Sequence, residues 1–147
     1  MNRIIAFIII LCSVLTMSAE PKRKFDPEAY RAEQHKYIQC KAQLTCDEAT
    51  KFFAIYDEMR TKERQLFIQS RKGRKNRPET EEECRQCINM HDSNDIQLKK
   101  IQQLYHKRML KVLPAKKVLN AIIAAEDFDR NKFREMSKAF QKQGQTE

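Results

Sequence analysis

Apolar residues in this chain recur every three or four positions, the spacing that places them along one face of a helix. The first stretch, about 27–41, has Ala29, Tyr30, Tyr37 and Ile38 available for packing after Phe25. Asp26 stands there as an N-cap before Pro27, whose missing N–H costs little in a first turn. The second, about 46–71, carries Ala49, Phe52, Phe53, Tyr56, Met59, Leu66 and Phe67. It opens on Thr45-x-x-Glu48, a capping box in which the threonine caps the glutamate amide and the glutamate reaches back. The third, about 79–112, follows Pro78 and has no glycine or proline before Pro114. The fourth, about 115–141, is opened by Pro114 and has Val118, Ile122, Ala125, Phe133, Met136 and Phe140 as its stripe. With two glycines, no Trp and few β-branched runs beyond the N-terminus, the expected fold class is all-α, a single four-helix domain over residues 20–147.

The third stretch sets the shape. At about 1.5 Å per residue the Pro78–Val112 segment would be roughly 50 Å long. A compact domain of this size is only about 35 Å across. Part of the helix must project, or a second copy must cover it. Apolar residues crowd the Phe52–Met59 part of the second helix and the Leu98–Val112 part of the third, while Arg60–Asp95 is mostly charged. A long central hairpin turning near Gly73 would place the two apolar parts side by side, giving a packed body and a polar arm.

Residues 1–19 read as a signal peptide: Arg3, an apolar run from Ile4 to Leu15 that includes Cys12, then Ser18 and Ala19 as small residues at a cleavage site. The run is too short for a convincing membrane span. The expectation is an exported, periplasmic protein beginning near Glu20, with no stable span after cleavage. Export changes what charge means. The net charge is +9, or about +8 once Arg3 leaves with the leader, and outside the cytoplasm the anionic partners are membrane surfaces, acidic protein patches and polyanions, not nucleic acid. Four cysteines remain, Cys40, Cys46, Cys84 and Cys87, an even number in a disulfide-permissive compartment. Cys46 and Cys84 would be offset by about 18 residues, roughly 27 Å at helical rise, far more than a disulfide spans. Within one chain this leaves Cys40–Cys46 and Cys84–Cys87. The second would be strained inside a helix, so Cys40–Cys46 is the favoured bridge.

Phe25-Asp26-Pro27-Glu28, Leu44-Thr45-x-x-Glu48, the long basic hairpin and Val112-Leu113-Pro114-Ala115-Lys116-Lys117-Val118-Leu119 together resemble the Spy/CpxP family of periplasmic chaperones and stress adaptors. Relatives of that family are often labelled periplasmic heavy-metal sensors. Its signature is Leu-Thr-x-x-Gln at the starts of two helices. Here Glu48 replaces the first Gln, and Pro114 and Lys117 stand where the second motif has Thr and Gln. The resemblance covers most of residues 25–140 in pattern. It implies a four-helix hairpin protomer, a cradle-shaped antiparallel homodimer and binding of partly unfolded envelope proteins without ATP, through a basic surface with apolar patches. A sensor kinase is a further candidate partner.

Two groups of residues are candidate sites in their own right. At the arm tip, Leu66, Phe67 and Ile68 precede Arg71, Lys72, Arg74, Lys75 and Arg77, five basic residues in seven. Such a surface suits flexible, partly apolar, net-acidic clients. The bland alternative is a solvated turn with Phe67 buried against Ile88. The second group, Cys84, Cys87, His91 and Asp95, falls within a narrow arc of one helix face. Cys and His are ligands for zinc or copper. The same stripe continues to Leu98, Ile101 and Tyr105, so hairpin packing or a disulfide is the favoured account. Redox catalysis by Cys84-Arg85-Gln86-Cys87 lacks the βαβ pattern that normally accompanies it. There is no glycine-rich phosphate loop and no Ser-His-acid arrangement, and the three histidines are scattered, His35 on the first helix and His91 and His106 far apart on the third. The reading is of a binding protein with no required cofactor, not an enzyme. Its first function is chaperone or stress adaptor and its second is metal binding or sensing.

Overall fold

Short polar side chains begin the helices by satisfying their first free amides. Asp26 Oδ1 accepts from the Glu28 and Ala29 amides at 2.9 and 3.2 Å, with Pro27 opening the first turn. Thr45 and Glu48 form the expected reciprocal box: the Thr45 amide donates to Glu48 Oε2 at 2.9 Å, and the Glu48 amide to Thr45 Oγ1 at 3.3 Å. The computed structural model describes residues 25–72 and 77–143. These form α1 (Pro27–Lys41), α2 (Cys46–Lys72), α3 (Glu81–Met109) and α4 (Ala115–Gln143), with no strand among the described residues. The expected leader, 1–19, and the turn at Gly73 lie outside them. No helix among the described residues is long and apolar enough to cross a membrane.

The third helix is shorter than the sequence pattern implies. Pro78 does not open it. Thr80 Oγ1 accepts from the Glu83 amide at 3.2 Å, and Glu83 Oε2 accepts from the Thr80 and Glu79 amides at 3.1 and 3.0 Å. One carboxylate thus satisfies two amides and a hydroxyl a third, which outweighs the fixed φ of a proline two residues earlier. At the other end, Lys111 and Val112 donate to Arg108 and Met109 three residues back, at 3.1 and 3.0 Å. That tight turn follows from Pro114, which disfavours helical geometry at Leu113. The 29 residues of α3 make a helix about 43 Å long at standard rise.

Burial is confined to one end. The core comprises Ile38, Ala42 and Leu44 from α1 and its corner, Ala49, Phe52, Tyr56 and Met59 from α2, Tyr105, Met109 and Leu113 from α3 and its corner, and Val118, Ala121, Ala124, Ala125 and Phe128 from α4. No described residue between Met59 and Tyr105 belongs to it. Phe52, Ile38 and Met109 are fully enclosed, each stabilising the fold by about 1.5–3 kcal/mol through burial. Small alanines on α4 let that helix approach closely, and Phe52 stacks on Tyr56 with ring centroids 5.5 Å apart.

The helices associate in two pairs, α1 with α4 and α2 with α3. Across the second pair, Glu58 takes the Tyr105 hydroxyl at 2.7 Å and Arg108 Nη2 at 2.8 Å, while Gln102 Nε2 donates to Glu63 at 2.9 Å. Residue numbers rise on one helix as they fall on the other, so the two run antiparallel there. Arg108, then the Tyr105 hydroxyl, hold Glu58 below the usual carboxylate range. The starts of α2 and α4 are joined by an ion pair between Lys117 and Glu48, which Lys117 and then the Thr45 amide hold low in the same way. Because these folded-state values are depressed, the stabilisation is present above the ordinary carboxylate range and is lost as pH falls through the depressed values.

The α1–α2 corner ends α1 with paired bonds from Leu44 N to Gln39 O at 3.0 Å and from Gln43 N to Cys40 O at 3.3 Å. This is a Schellman ending whose left-handed position holds Gln43, φ 51°, where glycine is usual. Gln43→Gly removes the Cβ conflict and is expected to raise stability by about 0.5–1 kcal/mol, less whatever the more flexible unfolded chain takes back. Urea unfolding followed by circular dichroism checks it. A lower midpoint would mean that the Gln43 side chain itself stabilises the corner.

Candidate functional site

The arm-tip residues sit where α2 leaves the core behind. Leu66 is half-buried, but Phe67 and Ile68 are 60% and 46% exposed. Ile88 is 62% exposed, so Phe67 is not buried against it. The Arg71 guanidinium carbon lies 5.6 Å from the centre of the Phe67 ring, a cation–π contact worth about 0.5–1 kcal/mol at an exposed site. Arg71 and Arg77 are exposed. Arg74, Lys75 and the Lys72 side chain lie outside the described residues. What is described of the tip is therefore two apolar side chains open to solvent with a guanidinium beside them.

The Cys84, Cys87, His91, Asp95 arc does not close into one site. Cys84 and Cys87 lie on the half-buried side of α3, which continues through Met90, Asn94 and Leu98, whereas His91 and Asp95 are exposed. His91 Nδ1 pairs with Asp95 at 3.6 Å and with Asp92 at 3.9 Å. No group of three or more His, Cys, Asp or Glu side chains among the described residues is placed to hold a metal ion. The expected arc assumed a strict helical face. The side of α3 that turns inward instead passes through Met90 and Asn94, so His91 and Asp95 fall to solvent. Cys40, Cys46, Cys84 and Cys87 all carry free thiols, and the favoured Cys40–Cys46 bridge is not formed in the structure. Both of those thiols are exposed, one on each side of the Ala42–Thr45 corner.

Sequence periodicity did not reveal the polar junction of α1, α2 and α4. Asp129 on α4 accepts from the Tyr30 hydroxyl at 2.8 Å and from Gln34 Nε2 at 2.6 Å, and its second oxygen meets Arg60 Nη2 at 3.3 Å. Arg60 also reaches Glu63 at 3.1 Å. Gln34 is only 4% exposed, an amide buried among apolar and aromatic side chains, and it finds its partner in Asp129. The legible signal was Gln34 itself, a polar residue at four-residue spacing between Tyr30 and Ile38 on the face that packs. Nearby, His35 stacks on Phe53 with ring centroids 3.9 Å apart and meets Asp57 at 2.8 Å. Beside this junction opens a cleft of about 660 Å³.

Burial, then the hydrogen bond to Asp129, push the Tyr30 phenol up to about 12. A raised folded-state pKa means that this stabilisation is complete below the ordinary tyrosine pKa of about 10 and is lost as pH rises toward the folded value. Asp129→Ala should move the Tyr30 phenolate transition back toward lower pH, read by ultraviolet absorbance. It should also cost about 1–3 kcal/mol of stability, because it strands the buried Gln34 amide. An unchanged Tyr30 transition would refute the junction.

Comparison of the chain with protein-family models, with curated proteins and with solved structures returns no match, so a functional reading rests on these residues.

Proposed function

We propose that the protein is an exported, ATP-independent chaperone or envelope-stress adaptor that binds partly unfolded proteins through its arm. The observation that carries this reading is the exposure of Phe67 and Ile68 beside Arg71, on a part of α2 that contributes nothing to the core. An unfolded client exposes apolar side chains, and basic groups speed its capture without requiring a fitted pocket. Exposed apolar residues on α3, namely Ile88, Ile96 and Leu104, support a homodimer with a long central hairpin in each copy as the working unit, the cradle that the family resemblance implies. A second reading, a zinc- or copper-binding protein on the same scaffold, is favoured by the placement of Cys84 and Cys87 on one side of α3. For that reading Cys87→Ser would lower metal affinity by orders of magnitude.

The chaperone reading predicts that the purified protein suppresses aggregation of a denatured client at near-stoichiometric ratios without ATP. Suppression should weaken as salt rises, since exposed charges are screened beyond roughly 8–10 Å at near-physiological ionic strength. Replacing Arg71, Lys72, Arg74 and Lys75 by Ser should slow capture, and Phe67→Ser with Ile68→Ser should weaken it further. Light scattering across a salt series measures both effects. Failure of the wild type at every salt, or arm variants that match it throughout, would sink the reading.

A further inference from the structure

The cleft beside the Asp129 junction has a composition unlike that of the arm. Its floor is polar and internally satisfied. Asp129 is held by Tyr30, Gln34 and Arg60, and Asp57 by His35. Along one wall stand Phe25, Phe133 and Met136, which are 68%, 67% and 48% exposed. Three exposed apolar side chains lining one concavity make a surface that gains by being covered.

The charges at the rim are unequal in their commitments. Lys132 is shared between Glu33 at 2.7 Å and Glu135 at 3.4 Å, and Arg60 is bound to Glu63 and Asp129. Arg31 from α1 and Arg64 from α2 also line the cleft, are exposed, and make no ion pair among the described residues. Two guanidiniums without partners, fixed on different helices, are complementary to carboxylates, which they can grip through paired N–H donors. Glu28 also lies at the rim, but in the first turn of α1, where the helix dipole offsets its charge.

We propose that this cleft binds a short acidic peptide segment, its carboxylates on Arg31 and Arg64 and its apolar side chains against Phe25, Phe133 and Met136. The exposed guanidiniums are what select a peptide over a lipid. Peptide carboxylates and C=O groups can accept from Arg31 and Arg64, whereas an alkyl chain laid over them would desolvate both charges and return nothing. A volume of about 660 Å³ falls inside the range of roughly 300–1,000 Å³ usual for ligand clefts. The proposal stands independently of the arm, since it uses different side chains.

The test is fluorescence polarisation of a dye-labelled six-residue peptide alternating Asp with Phe or Leu, titrated with the full purified chain. Saturable binding is expected, weakened at least about tenfold when Lys replaces Asp in the peptide, as loss of two charge-assisted contacts requires. Arg31→Ser combined with Arg64→Ser should weaken binding of the acidic peptide by a similar factor, and Phe133→Ser should weaken it too. Circular dichroism should show unchanged helicity, because none of the three side chains is buried. Because the arm also suits acidic, partly apolar chains, the titration is repeated on a chain carrying Phe67→Ser with Ile68→Ser, where the loss caused by Arg31→Ser with Arg64→Ser should persist. Absence of saturable peptide binding, equal binding by the double arginine variant, or preference for phosphatidylglycerol vesicles over the peptide would each overturn the proposal.

Discussion

Along α2 the core stops at Met59, and along α3 it resumes only at Tyr105. Burial of apolar surface is the main favourable term in folding, so all four helices must meet where that surface lies. Both corners, through Leu44 and Leu113, are drawn into the same end. The intervening parts of α2 and α3 are then held by little more than helix propensity, caps and a few polar contacts. That limit explains why Phe67, Ile68, Ile88 and Ile96 remain exposed: among the described residues no second layer covers them.

Features written in neighbouring residues were legible in the sequence. Asp26 before Pro27, and Thr45 with Glu48, act through contacts two to three residues long, and the structure forms both. The separation into apolar and charged parts of the central helices was equally readable, because burial follows local composition. The start of α3 is set by Thr80-x-x-Glu83, two residues past the Pro78 signal, because that pair satisfies more amides. The Asp129 junction was not legible. Tyr30, Gln34 and Arg60 reach it from two other helices, and nothing in a helical period singles out an aspartate beside Phe128. The cleft was missed with it, since Phe25 and Phe133 look unrelated until α1 and α4 are brought together.

The ion pair between Glu48 and Lys117 connects two sequence features that looked unrelated. Each was noted as a departure from a glutamine at a helix start, and the structure places the two side chains against each other. An acid at one helix start and a base at the other is self-consistent as a pair. Altering either alone removes the partner that holds the other's charge at that corner.

The Tyr30–Asp129 bond joins residues 99 positions apart, whereas Gln102 meets Glu63 across only 39. Closing the longer loop carries the larger entropic cost. The α2–α3 contacts, and the α1–α2 contact of His35 with Asp57 across 22 positions, can therefore assemble early, while the α1–α4 contacts wait for α4. Until α4 arrives, the core lacks Val118, Ala121, Ala124 and Ala125 and is only partly covered. A chain interrupted before α4 would thus hold a formed α2–α3 pair with an open apolar flank, a species prone to self-association. Synthesis delivers α4 after the three helices it covers, so folding of the body awaits α4 and is not set by the rate at which any single earlier helix forms.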